Sequence, residues 1–174
     1  MANATVNDIC PPGHYCPEGS PAPMQCPAGR NSSSVGLRNE SDCPLCLKGF
    51  YCPLNGTVLA TRRCLPGYYC PSGTANPTSD ASLLCPAGSK CPEGSAVPVA
   101  CPMGSFVNRN GSTVCDVCPA GFYCNSAVST VVPIDCPQGF YCPNGTGLDW
   151  QSCSMGTYGA RTNLHSLSEC SVCD

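Results

Sequence analysis

Apolar residues along this chain follow neither of the two periods that build ordinary secondary structure. No stretch places them at i, i+3, i+4 and i+7 long enough to predict a real helix. The segments 57–60 (TVLA) and 129–132 (STVV) predict strands of two to four residues, and 163–168 predicts at most one helical turn. Leucine, isoleucine and phenylalanine are too few and too scattered to build one large core. Nowhere do about 18 apolar residues run together, so no segment predicts a membrane span.

What does recur is a frame of two cysteines, a glycine and an aromatic. It reads CPPGHYC at 10–16, CLKGFYC at 46–52, CLPGYYC at 64–70, CPAGSKC at 85–91, CPAGFYC at 118–124 and CPQGFYC at 136–142. Counted from the first Cys of each frame, which carries Gly three residues later, nine repeats start at Cys10, Cys26, Cys46, Cys64, Cys85, Cys101, Cys118, Cys136 and Cys153. The invariant glycine predicts a sharp turn at positive φ, which only Gly adopts without cost. The fifth position after the first Cys holds Tyr15, Tyr51, Tyr69, Phe106, Tyr123, Tyr141 and Tyr158, with Asn31 and Lys90 as exceptions. Adding Phe50, Tyr68, Phe122 and Phe140, every aromatic but Trp150 sits in this one slot. An aromatic lying against a disulfide is therefore expected to be the small core of each repeat. A Pro/Gly turn signature follows the second Cys, as in PEGS, PLNGT, PSGT and PNGT.

Six repeats are short, with the second Cys at the sixth position. Those starting at Cys26, Cys101 and Cys153 are long, and each meets its successor through C-x2-C. The order groups the chain into a lead-in (1–9), a short-long pair (10–45), a block of short-short-short-long (46–117), a block of short-short-long (118–172) and the start of a further repeat (173–174). The fold class this predicts is small and disulfide-rich: an elongated tandem array of short-β and loop units with almost no helix, each unit touching mainly its neighbours.

Composition sharpens that picture. Of 174 residues 19 are cysteine, 19 proline and 18 glycine, and only 11 % are charged. Disulfides must then replace much of the burial that a normal core supplies, in an oxidising compartment. Asn-x-Ser/Thr sequons at Asn3, Asn31, Asn39, Asn55, Asn110 and Asn144 agree with that; Asn76 is followed by Pro77 and drops out. The opening MANATVNDIC has neither the basic start nor the apolar run of a signal peptide, so the chain reads as a fragment of a longer secreted protein.

Two regular disulfide schemes are open. Either each repeat closes on itself, or each second Cys joins the next repeat's first. The second scheme forces three tight C-x2-C rings, more typical of redox sites. The first avoids them and is preferred: Cys10–Cys16, Cys26–Cys43, Cys46–Cys52, Cys64–Cys70, Cys85–Cys91, Cys101–Cys115, Cys118–Cys124, Cys136–Cys142 and Cys153–Cys170, with Cys173 unpaired within the chain. Interleaved pairing stays open. Each such loop is worth about 2–3 kcal/mol in the chain-entropy model.

The long repeats CPMGSFVNRNGSTVCDVC and CSMGTYGARTNLHSLSECSVC resemble the ephrin-receptor-like cysteine-rich repeat, itself similar to modules of tumour-necrosis-factor receptors. That resemblance implies an in-repeat disulfide in the long units. The short CPxGxYCPxGT units look like a variant found in very large surface proteins of protists and invertebrates. The patterns span residues 10–173 and identify a module type, not a function.

Sharper chemistry finds little support. CPLC and CDVC look like zinc knuckles, but the other thirteen cysteines lie outside C-x2-C pairs, and His14 and His165 lack ligand spacing. No βαβ frame supports a thioredoxin-like thiol, no paired carboxylates recur, and a net charge of −3 without a basic patch argues against nucleic acid. No catalytic residue, metal or cofactor is predicted. Trp150 either packs between repeats or anchors a neighbouring chain, with packing preferred. The reading is a non-enzymatic spacer of a large glycosylated surface, matrix or filament protein, secreted or on the extracellular face of the cell. Its partners would be N-glycans and other protein chains of that assembly, its own copies among them. The alternative is the ligand-binding ectodomain of a receptor or adhesion protein.

Overall fold

The structure, a computed structural model, describes residues 9–125 and 131–173. The Asn3 sequon, the rest of 1–8, residues 129 and 130 of the expected second strand, and Asp174 lie outside them. Among the described residues, twelve two-residue strands form six antiparallel hairpins. These pair β1 (His14–Tyr15) with β2 (Met24–Gln25), β3 (Ser89–Lys90) with β4 (Val99–Ala100), and β5 (Ser105–Phe106) with β6 (Asp116–Val117). The others join β7 (Phe122–Tyr123) to β8 (Ile134–Asp135), β9 (Phe140–Tyr141) to β10 (Gln151–Ser152), and β11 (Thr157–Tyr158) to β12 (Ser171–Val172). Single bridges Arg30–Leu45 and Phe50–Arg63 mark the same pairing in two further repeats. Among the described residues the helical content is four one-turn 3-10 segments, Glu40–Asp42, Pro77–Ser79, Ala81–Leu83 and Leu167–Glu169.

The chain is thus a cysteine-rich repeat array of short hairpins with almost no helix. It divides into two bodies, one of Met1–Leu83 with Glu93–Val97, the other of Leu84–Pro92 with Pro98–Asp174.

Each hairpin forms in the same place for the same reason. All nine C-x-x-G glycines have φ between 74° and 84°, which turns the chain back immediately after the first Cys. The next two residues then meet the two that precede the following repeat's first Cys. In the long repeats those two residues are the middle of C-x2-C, so CDVC and CSVC each hold a strand, β6 and β12, between cysteines of different disulfides. The segment 57–60 forms no strand, although its residues favour one. Its backbone is committed elsewhere: Gly56 turns at φ 70°, and the Thr57 carbonyl accepts the Ser32 N–H at 3.0 Å. Residues 131–132 likewise fall in a bend, and the strand of that repeat comes later, at β8. Strand formation here follows the presence of a partner rather than β propensity.

A shared backbone frame links successive repeats. At the junctions into Cys26, Cys46, Cys64, Cys101, Cys118, Cys136, Cys153 and Cys173, the Cys N–H donates to the glycine carbonyl of the repeat before it, as in Cys118 to Gly104 at 2.8 Å. That glycine's own N–H donates forward to the sixth position of the next repeat, as in Gly104 to the Cys124 carbonyl at 3.0 Å. Long repeats keep the bond although their sixth residue is not cysteine: Gly13 donates to Ser32, Gly88 to Val107 and Gly139 to Gly159. A third bond runs from the turn residue after the sixth position to the preceding repeat's first-Cys carbonyl, as in Gly56 to Cys26, Gly111 to Cys85 and Gly145 to Cys118. Short and long repeats therefore follow one backbone path and differ in where the second cysteine is placed.

Contact reaches beyond adjacent repeats. A Cβ placed on Gly29 would lie 2.5 Å from the Gly73 carbonyl oxygen, and one on Gly49 2.7 Å from that of Gly94, in each case two repeats onward. Backbones of next-but-one repeats touch where the glycines face each other.

In the Cys153 repeat the turn position is Asn163, at φ 64° the only described non-glycine residue with positive φ, and its N–H reaches the Cys136 carbonyl at 3.0 Å. Asparagine tolerates this region where branched residues do not. Asn163→Gly is expected to leave thermal stability within about 0.5 kcal/mol, since it loses only the exposed bond from Asn163 Nδ2 to Asp135 Oδ1 (2.9 Å). Asn163→Val is expected to cost about 2 kcal/mol. Equal melting temperatures for the two variants would contradict this.

The core is made chiefly of cystine. All the half-cystines from Cys26 to Cys91, and those at 118, 124, 136 and 142, have essentially no exposed surface. Beside them the fully buried side chains are Leu164, Val107 and Pro77. The aromatic slot is less central than its recurrence suggests. Tyr15 is buried, packed with Leu37 against the Cys26–Cys43 disulfide of the next repeat, whereas most of the others are half-exposed and Tyr158 is 50 % exposed. A hairpin two residues long covers one face of a ring and leaves the other to solvent.

Candidate functional site

The cysteines form nine disulfides, Cys10–Cys16, Cys26–Cys43, Cys46–Cys52, Cys64–Cys70, Cys85–Cys91, Cys101–Cys115, Cys118–Cys124, Cys136–Cys142 and Cys153–Cys170. Cys173 is a free, exposed thiol. Among the described residues no three His, Cys, Asp or Glu side chains are grouped so as to hold a metal ion. His14 sits in β1 with Nδ1 3.0 Å from the Pro12 carbonyl oxygen. His165 donates its backbone N–H to Glu169 Oε2 at 2.8 Å, folding that carboxylate over the last 3-10 turn. Asp42 does the same in the Cys26 repeat, where its Oδ2 accepts the N–H groups of Arg38 and Asn39 at 3.0 and 2.9 Å. These carboxylates are used in turns. The Asp80 carboxyl is held below the usual carboxylate range, first by the Ser82 hydroxyl (2.6 Å to Oδ1) and then by the Ser82 N–H (2.9 Å), again within a turn.

Trp150 packs edge-on against Tyr123, with ring centroids 4.8 Å apart at 70°, and against Phe140 at 6.1 Å and 64°. It thereby ties the slot aromatics of the Cys118 and Cys136 repeats together. Trp150→Ala is expected to cost about 1–2 kcal/mol in thermal unfolding, and Trp150→Phe much less. A residue serving only as an anchor for another chain would leave the free protein's melting temperature unchanged on either substitution.

The sequons fall into distinct environments. Asn31 is half-buried, its Oδ1 fully enclosed without a hydrogen-bond partner and its Nδ2 3.5 Å from the Val58 carbonyl oxygen. Asn39 is exposed, at the start of the Glu40–Asp42 turn. Asn55, Asn110 and Asn144 share one arrangement. Each is exposed, precedes a turn glycine, and accepts through Oδ1 the backbone N–H of the preceding repeat: Ala28 at 2.9 Å, Ala87 at 2.9 Å and Ala120 at 2.8 Å. The hydroxyl residue completing each sequon turns inward and bonds back three residues, Thr57 to Leu54 O at 2.6 Å, Ser112 to Arg109 O at 3.4 Å and Thr146 to Pro143 O at 2.7 Å.

This recurrent junction was not recognised from the frame alone, yet its signal lies in the sequence. Cys-Pro-Ala-Gly occurs at 26–29, 85–88 and 118–121, and each time the next repeat carries Asn-Gly-Thr or Asn-Gly-Ser. Where the same position is proline, as at Pro12 and Pro66, no N–H exists to donate, and the next repeat's turn reads Val35-Gly36 or Glu93-Gly94. The alanine and the asparagine are two halves of one interaction, separated by 23 to 27 residues.

No helix of the described residues is long and apolar enough to cross a membrane. No family model and no curated protein matches the chain.

Proposed function

We propose that the chain is a non-enzymatic extracellular structural segment, a spacer in a large glycosylated cell-surface, matrix or filament protein of the ephrin-receptor-like repeat type. The observation that carries this reading is the backbone frame: the same inter-repeat hydrogen bonds recur in short and long repeats alike. Such a design favours serial continuity over a single specialised pocket. The disulfide-rich build matches an oxidising environment outside the cytosol. Trp150, the strongest hint of an external anchor in the sequence, has its ring engaged by Tyr123 and Phe140. Grouping of the repeats at 10–45, 46–117 and 118–172, each ended by a long repeat, belongs to the same proposal.

The test is stretching of the single chain by its ends with disulfides intact. A spacer of serially linked repeats should lengthen in many small steps and recover over repeated cycles. One large all-or-none rupture without recovery would overturn the reading.

A further inference from the structure

The three Asn-Gly-Thr/Ser junctions use only half of the asparagine side chain. Oδ1 accepts the alanine N–H of the preceding repeat, while Nδ2 of Asn55, Asn110 and Asn144 meets no hydrogen-bond partner among the described residues. The other sequon residues have structural reasons of their own to be there. Glycine supplies the positive φ of the turn, 70° at Gly56, 74° at Gly111 and 79° at Gly145, and the inward hydroxyl binds the carbonyl three residues back. A substituent on Nδ2 therefore breaks no bond of the fold and leaves the Oδ1 contact in place. At Asn31 the opposite holds. Its Oδ1 is enclosed, its Nδ2 is already turned to the Val58 carbonyl at 3.5 Å, and its neighbour Ser32 is only 2 % exposed, held through its carbonyl by Gly13 and through its N–H by Thr57. A substituent on Asn31 Nδ2 displaces its contact with the Val58 carbonyl and crowds the frame between the Cys10, Cys26 and Cys46 repeats.

We propose that Asn55, Asn110 and Asn144 are N-glycosylated and that Asn31 is a silent sequon, left bare in the folded chain. This rests on the extracellular reading above only for access to the modifying machinery. In the modification, Nδ2 attacks the anomeric carbon of an oligosaccharide carried on a lipid pyrophosphate. The new C–N bond replaces the sugar–phosphate C–O bond, lipid pyrophosphate leaves, and the amide loses one proton. Because all three sites occupy the same place in their repeats, each glycan emerges beside a repeat junction and covers the turn that the next protease or partner would otherwise meet.

The experiment is expression of the chain behind a secretory leader in a glycosylating eukaryotic cell. Secreted, disulfide-complete protein is then enzymatically deglycosylated in heavy-oxygen water, and its peptides are mapped by mass spectrometry. Heavy aspartate at 55, 110 and 144 with unlabelled asparagine at 31 is the expected result, provided that a parallel sample kept in the same heavy-oxygen water without the glycosidase stays unlabelled, because Asn-Gly pairs also deamidate spontaneously. Label at Asn31 comparable with the other three, or two of the three empty, would overturn the proposal. Asn144→Asp keeps the Oδ1 acceptor for Ala120 and removes the sequon, so it should be secreted at wild-type yield and lighter by one glycan. An unchanged mass would count against the proposal equally. Because the leader supplies entry to the lumen, these outcomes test the sequons separately from the spacer reading, which stands or falls on the stretching experiment.

Discussion

Reducing the disulfides is expected to lengthen the limiting extension of the stretched chain by about 240 Å. The nine bonds hold out of reach six spans of 6 residues, one of 14 and two of 17, each replaced under load by a single cystine bridge. With the bonds intact, that length cannot be recovered by any force that spares covalent structure. Reduction should also abolish the fold, because little else is buried. Apart from cystines, the large side chains with no exposure are Leu164, Val107 and Pro77, whereas Leu54, Leu59, Val97, Val117 and Val172 are more than 60 % exposed. Removing a native disulfide from a small domain commonly costs 2–5 kcal/mol, and here the loss is repeated in every repeat. Reduced and alkylated protein should show no slowly exchanging amides at positions such as Cys118 and Cys142, whose N–H groups are buried in the inter-repeat frame. Persistent protection there would mean that the hydrogen-bond frame stands without its disulfides.

Gly104→Ala and Gly139→Ala are expected to differ by several-fold in cost although both glycines occupy the same motif position at similar φ, 76° and 84°. At Gly139 a Cβ meets nothing within 4 Å, so alanine adds only the strain of the left-handed region, about 1–2 kcal/mol. At Gly104 the same Cβ would be driven into the carbonyl of Gly145, two repeats onward, a backbone group that cannot swing aside. Relief requires parting the two turns. That strains the bonds from Cys118 N–H to Gly104, from Gly104 N–H to Cys124 and from Gly145 N–H to Cys118. The expected cost is about 4–5 kcal/mol, in the range of the most damaging single substitutions. Thermal unfolding of both variants under oxidising conditions checks this, and equal shifts would show that next-but-one repeats do not bear on each other at Gly104.

Features that depend on a few adjacent residues were legible in the chain. C-x-x-G dictates a turn at positive φ, because only glycine escapes the Cβ clash there, and every such glycine adopts it. The absence of helical periodicity and the close spacing of Pro and Gly dictate very short elements, and among the described residues the structure holds only two-residue strands and one-turn 3-10 segments. The single helical turn expected within 163–168 lies later, at Leu167–Glu169, because the positive-φ turn at Asn163 comes first. The tertiary structure decided what depends on segments that are tens of residues apart. It placed the strand of that repeat at β8 rather than at 131–132, and left 57–60 without a strand partner. It moved burial from the aromatic slot to the cystines, since a single layer of two-residue hairpins cannot enclose a ring. It brought the Asn of one repeat onto the Ala N–H of the repeat before, and Gly104 onto Gly145. Backbone conformation is set by clashes within one or two residues, whereas the placement of one repeat on the next is set by hydrogen bonds between repeats, and only that placement fixes which groups meet.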